Sequence, residues 1–180
     1  MRRIVLSLAV LGAVSLGACS GGGSVLNSSG ANTPDNVVLT TVGPTNIARV
    51  LPGASIAISA QALKGDGVLS NNRFTWTAEL VTSGTYTANT SGQQKACAQV
   101  TQTIGAVTNP FLADFSIYIT IDPSNEANIL FTPPPTIAAP AGSTLTTSFP
   151  YCVVVSATAV GGSAVGSITV AVVNPQNPEQ

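Results

Sequence analysis

Hydrophobic positions along this chain fall into two regimes. The first eighteen residues carry them as one block. Beyond residue 36 they recur at every second position in short runs, the period of a pleated strand. Residues 73–80 are the clearest run: Phe74, Trp76, Ala78 and Leu80 point one way, and Arg73, Thr75, Thr77 and Glu79 the other. A strand with one face buried and one wet needs this pattern, and it places Trp76 in a core. Residues 55–63 repeat it, with Ile56, Ile58, Ala60 and Ala62 opposite Ser55, Ser59 and Gln61. Residues 37–42 are a β-branched run that stops at Gly43-Pro44, and a second short run, 47–51, stops at the turn pair Pro52-Gly53.

The same alternation predicts strands over 96–104 and 115–121. In the latter, Phe115, Ile117, Ile119 and Ile121 would share the core face and Tyr118 would point outward. Short strands follow over 129–132 and 145–149, separated by the stiff connector Pro133-Pro134-Pro135. Residues 151–160 and 167–173 flank Gly161-Gly162-Ser163 as a closing hairpin. Tyr86 lies in a polar stretch that reads as a weak strand or long loop, with its ring exposed. No amphipathic helix is visible after the leader. Eight or so short strands with regular turn signals make an all-β chain, a sandwich or a barrel.

Two stretches carry a resemblance. Residues 52–60, Pro-Gly-Ala-Ser-Ile-Ala-Ile-Ser-Ala, lead through a glycine turn to Phe74-Thr75-Trp76-Thr77. Residues 154–159, then Gly161-Gly162-Ser163, then 167–172 form the other end. Together they resemble bacterial immunoglobulin-like domains, which implies an antiparallel β-sandwich over residues 37–173. The middle, about 83–149, matches nothing in that pattern. The resemblance implies a scaffold and transfers no active-site residues.

Three cysteines are present: Cys19, Cys97 and Cys152. Outside the cytoplasm, Cys97 and Cys152 would pair, although two free buried thiols remain the alternative. Parity places the bond. Cys152 is in phase with Ser156 and Thr158, and Val153, Val155 and Ala157 occupy the other face. The bond is therefore expected on the outer face, or tying a segment to the sheet edge, and not through the core.

The N-terminal block has its own signature. Arg2 and Arg3 precede about thirteen uncharged, mostly apolar residues, too few for the roughly 20 of a membrane-spanning helix. Leu16-Gly17-Ala18-Cys19 then resembles the lipobox of bacterial lipoproteins. That resemblance implies a signal peptide over 1–18 and lipid on Cys19, with the outer membrane as the sorting default that Ser20 suggests. An ordinary signal peptide cut after Ala18 is the alternative. Residues 19–36 continue as a Gly/Ser-rich tether with a reach of roughly 20–25 Å. Residues 174–180 are a polar tail.

Composition narrows the chemistry. Charged residues are 7% of the chain, and removing 1–18 leaves four basic against seven acidic residues, net −3. Nucleic-acid surfaces need clustered Lys and Arg, so that partner class is excluded. The chain has no histidine, which removes the usual nucleophilic triads and most zinc sites. Ser91 and Lys95 have the wrong offset for a Ser-x-x-Lys helix. Asp66, Glu79, Asp114, Asp122 and Glu126 are scattered, and Asp122, Asn125 and Glu126 suit a turn better than a calcium loop. No cofactor or metal is expected. The expected function is a non-catalytic structural, adhesive or assembly module at the envelope, with a protein or glycan partner. A glycan or small-ligand surface would need at least two exposed aromatic rings, for which Tyr86 and Tyr118 are the candidates.

Overall fold

A computed structural model of the chain describes residues 33–42, 47–70 and 73–177. The expected signal peptide, Cys19 and most of the tether lie outside these residues.

The chain runs through β1 (Asn36–Thr41), β2 (Arg49–Val50), β3 (Ile56–Lys64), β4 (Gly67–Val68) and β5 (Phe74–Val81). An inserted region follows, with β6 (Thr85–Thr87), β7 (Gln94–Ala96), β8 (Val100–Ile104) and β9 (Val107–Pro110). After a single 3-10 turn at Ser116–Tyr118 come β10 (Ile119–Ile121), β11 (Asn128–Phe131), β12 (Thr144–Thr147), β13 (Tyr151–Ala159) and β14 (Val165–Val172).

Two sheets form the body. One has the order β1-β3-β11-β10, with β4 folded back on β3; the other has β2-β14-β13-β5. Taking β1, β3, β5, β10, β11, β13 and β14 as strands A to G, this is the ABED/CFG order of the immunoglobulin sandwich. All pairings between these strands are antiparallel, and the short β2 adds to β14 in parallel.

Alternation produces the core. Phe74, Trp76, Ala78 and Leu80 of β5 are buried and Thr75, Thr77 and Glu79 exposed. Val153, Val155, Ala157 and Val170 line the same face of that sheet beside them, and Ile58, Ala60, Ile129 and Phe131 join the cluster from the opposite sheet. Trp76 also ties the layers together through a hydrogen bond from its Nε1 to the Glu126 carbonyl at 3.0 Å. At one edge the sheets almost touch: a Cβ added to Gly166 of β14 would meet the backbone of Val37 in β1.

Three expectations need correction. Residues 115–121 are not one strand. The Asp114 carboxylate accepts the Ser116 N–H at 2.8 Å and opens a 3-10 turn. The turn breaks the phase, so Phe115 is buried but Ile117 is 80% exposed. Tyr118 consequently turns inward, half-buried, 5.3 Å from the Phe115 ring. The run 96–104 breaks at 97–99, where the chain leaves one hairpin for another sheet. Tyr86 is 2% exposed, because the face of its hairpin packs down on the sandwich.

Burial raises the phenol of Tyr151 far above its ordinary value, helped by neighbouring Tyr118, and raises that of Tyr86 to a lesser degree. Unfolded tyrosine ionises near pH 10, about where folded Tyr151 still holds its proton. Stability is therefore complete below about pH 10 and falls as the pH rises above it. Alkaline titration should show part of the tyrosinate absorbance appearing only together with unfolding. A smooth titration of Tyr151 and Tyr86 in the folded state would contradict this.

Candidate functional site

The strand directions give the sandwich two poles. Asp35 bonds Leu63, and Gly162 packs against Pro34, so the described chain enters at the pole of the β3–β4 and β13–β14 turns. The opposite pole carries the end of β5, the start of β13 and the end of β14, with Cys152 between Val81 and Ala171. The additions to the basic sandwich arise around this second pole. They are the β6–β7 hairpin and a three-stranded sheet of order β12-β8-β9.

The hairpin is fastened by the Cys97–Cys152 disulfide, whose Cα atoms are 5.6 Å apart. Cys152 is fully buried, yet it belongs to a separate apolar cluster with Tyr86, Ala88, Ala171 and Val173, packed with Val81 and Cys97. Val153, the next residue along β13, belongs to the main core. The bond thus lies on the outer side of the sheet, as the parity of Cys152 predicts. Its burial comes from the hairpin laid over it. The Tyr86 hydroxyl is buried there without a hydrogen-bond partner among the described residues.

The small sheet is tied in at its base and bare at its tip. Val100 is buried in the main core, Ala98 donates to the Pro150 carbonyl and Phe111 to Val100. Residues 113–115 then run beside β5, where Leu80 donates to Ala113 and Phe115 to Ala78. This covers the free edge of β5, which would otherwise present unpaired backbone groups. Register places Thr101, Thr103, Thr108, Thr144 and Thr146 on one face of the small sheet. The Thr103 and Thr108 hydroxyls are 2.9 Å apart. At the β8–β9 turn, Ile104 and Val107 sit opposite one another and are both more than half exposed. No charged residue occurs from 96 to 113 or from 127 to 178, so the β8–β9 hairpin and the third strand of this sheet are uncharged. β9 is exposed at all four residues. Runs of this kind usually carry an edge charge that blocks pairing with another chain.

Glu79 and Asp114 are partners in a single β-bridge and line one shallow pocket, but no third acid joins them among the described residues. Asp122 accepts both the N–H and the hydroxyl of Ser124, at 2.9 and 2.6 Å, and Asn125 accepts the Ala127 N–H at 3.2 Å. These are turn-forming bonds, and the two from Ser124 hold the Asp122 carboxyl below its ordinary range. Glu126 instead pairs with Arg73 Nε at 2.8 Å, which lowers the carboxyl and raises the guanidinium. The pair is exposed, so it adds little to stability. Asp114 is lowered by its bonds to Ser116. Lys95 lies on β7, and the Ser91 N–H bonds Asn89 within the hairpin turn. Among the described residues no three His, Cys, Asp or Glu side chains gather as a metal would require.

A groove of about 430 Å³ crosses the other sheet, lined by Val42, Ala57, Ile121, Pro123 and Leu130 among others. It is apolar and holds no convergent polar groups beyond the turn at Asp122. The five Phe, three Tyr and one Trp of the chain are all buried or half-buried.

Comparison of the chain with protein-family models, curated proteins and solved structures gave no match.

Proposed function

We propose that this chain is a lipid-anchored cell-envelope protein whose immunoglobulin-like sandwich is a non-catalytic scaffold for assembly or adhesion. It presents the uncharged small sheet at the far pole to a protein partner. The observation that carries the reading is placement. The chain enters the sandwich at one pole, and the strapped hairpin and the small sheet are built around the other. With acyl chains on Cys19 and the residues from 20 to 32 as tether, the additions face away from the bilayer. The outer membrane is the location that Ser20 favours.

Uncharged edges and exposed aliphatic residues suit a protein surface, where backbone pairing and apolar burial supply affinity. Stacking on a sugar needs an exposed ring, and the chain offers none. Both tyrosines that the glycan alternative relied on are turned in. Enzyme chemistry lacks support for the same kind of reason: Asp114 and Asp122 are engaged in their own turns and Glu126 in an ion pair.

Two measurements test this. The Cys19→Ser protein should move from the membrane to the soluble fraction while its disulfide and circular dichroism stay unchanged. If it remains on the membrane, the anchor is wrong. Affinity capture of the lipidated protein from its own membranes should recover one stoichiometric envelope protein. An Ile104→Ser/Val107→Ser double variant should lose it. Capture of polysaccharide alone would replace the assembly reading with the glycan one.

A further inference from the structure

The apolar residues of β13 and β14 are divided between two clusters by the sheet itself. Val153, Val155, Val170 and Val172 face the sandwich interior, and Cys152, Ala171 and Val173 face out beneath the hairpin. The outer cluster is small, and only Tyr86, Ala88 and Cys97 enter it from the hairpin side. The polar side chains of the hairpin turn back on it. Asn89 accepts from Ser91 and Gln93 and donates to Gln93, and Gln94 donates to Thr87. The Tyr86 hydroxyl gains nothing from being buried, since it has no partner among the described residues. A buried hydroxyl left in that state weakens the docking it takes part in. The covalent bond to Cys152 is thus a major part of what fastens this segment, and the sandwich core lies on the other side of the sheet.

We propose that the β6–β7 hairpin is a redox-releasable strap. Reduction of Cys97–Cys152 by a dithiol frees residues 84–97 from the outer face of β13–β14, and the sandwich stays folded. Cys97 is half-buried and Cys152 fully buried, so the attacking thiolate reaches Cys97 Sγ. A mixed disulfide forms there, and Cys152 leaves as a thiolate that takes a proton. The second thiol of the reductant then closes its own disulfide and releases Cys97. Two electrons and two protons pass from the dithiol to the two cysteines. Gly84, at φ +150°, and the segment 97–99 are the two ends about which the strap lifts. Release uncovers Cys152, Ala171 and Val173, a surface the oxidised protein keeps dry.

Hydrogen exchange on the protein as purified from its membranes, before and after a dithiol, tests this. Residues 84–97 should lose protection by about tenfold or more, and β3, β5, β13 and β14 should change by less than about threefold. A Cys97→Ser variant purified under the same conditions should show the same local pattern without reductant. Should the variant fail to fold, reduction of the prefolded native protein decides the question alone. Three results overturn the proposal. The first is a strap that stays protected after its bond is cut. The second is a loss of protection over both sheets together. The third is a disulfide that the dithiol cannot open without denaturant.

Discussion

Gly166→Val should lower stability by roughly 3 kcal/mol or more, with the melting temperature falling by roughly 10 °C. The reason is geometric. A Cβ at this position falls 2.7 Å from Leu39 Cδ1 and closer still to the Val37 carbonyl oxygen. A long side chain could swing its tip away, but a backbone carbonyl can withdraw only if β1 moves. That strand is in register with β3 along its whole length, from Asn36 opposite Leu63 to Thr41 opposite Ile58. Relief therefore disrupts either the β1–β3 ladder or the approach of the two sheets. Thermal unfolding measures it, with Gly166→Ala expected to show much of the loss because the clash begins at Cβ. An unchanged melting temperature in both would mean that β1 does not lie against β14.

Trp76→Ala should cost about 3–5 kcal/mol. The ring is 7% exposed and stands in the main core beside Phe74, with centroids 6.1 Å apart. Truncation leaves a cavity that the surrounding strands fill only in part, and it orphans the Glu126 carbonyl that Nε1 now bonds. Trp76→Phe separates the two contributions, since it keeps most of the apolar area and loses the hydrogen bond. Denaturant titration should place it between the native protein and the alanine variant. A phenylalanine variant as weak as alanine would mean the hydrogen bond outweighs packing.

The sandwich strands were readable because each is wet on one face. In β5 every second residue changes character, and the structure follows that alternation without exception from Phe74 to Leu80. The outer placement of the disulfide was readable for the same reason, from the phase of Cys152 against Val153. The region 83–149 resisted because its periodic runs are broken by local bonds and the rest of it has no period. Residues 115–121 look like a strand, yet one side chain, Asp114, satisfies the Ser116 N–H and starts a turn that rotates everything after it. Tyr86 sits among Thr, Asn and Gln and reads as wet. Its burial depends on a covalent bond 55 residues apart in sequence separation, which no local pattern encodes. β9, Val-Thr-Asn-Pro, has neither alternation nor a core face and ends in a residue that cannot donate. Gly166 is an isolated glycine in a strand, a hint of close backbone approach but not of the neighbour it approaches.

The short parallel pairing of β2 with β14 has a mechanical side. Ala171 donates to the Ala48 carbonyl at 2.8 Å and Val173 to Val50 at 2.9 Å, which joins the first part of the chain to the last. The described chain enters at one pole, and its final strand ends at the other. A pull that separates those ends runs along both strands and strains their bonds in shear, all at once, instead of unzipping them singly. A domain held to a surface by its front end and gripped at its far end would resist tension best in this arrangement.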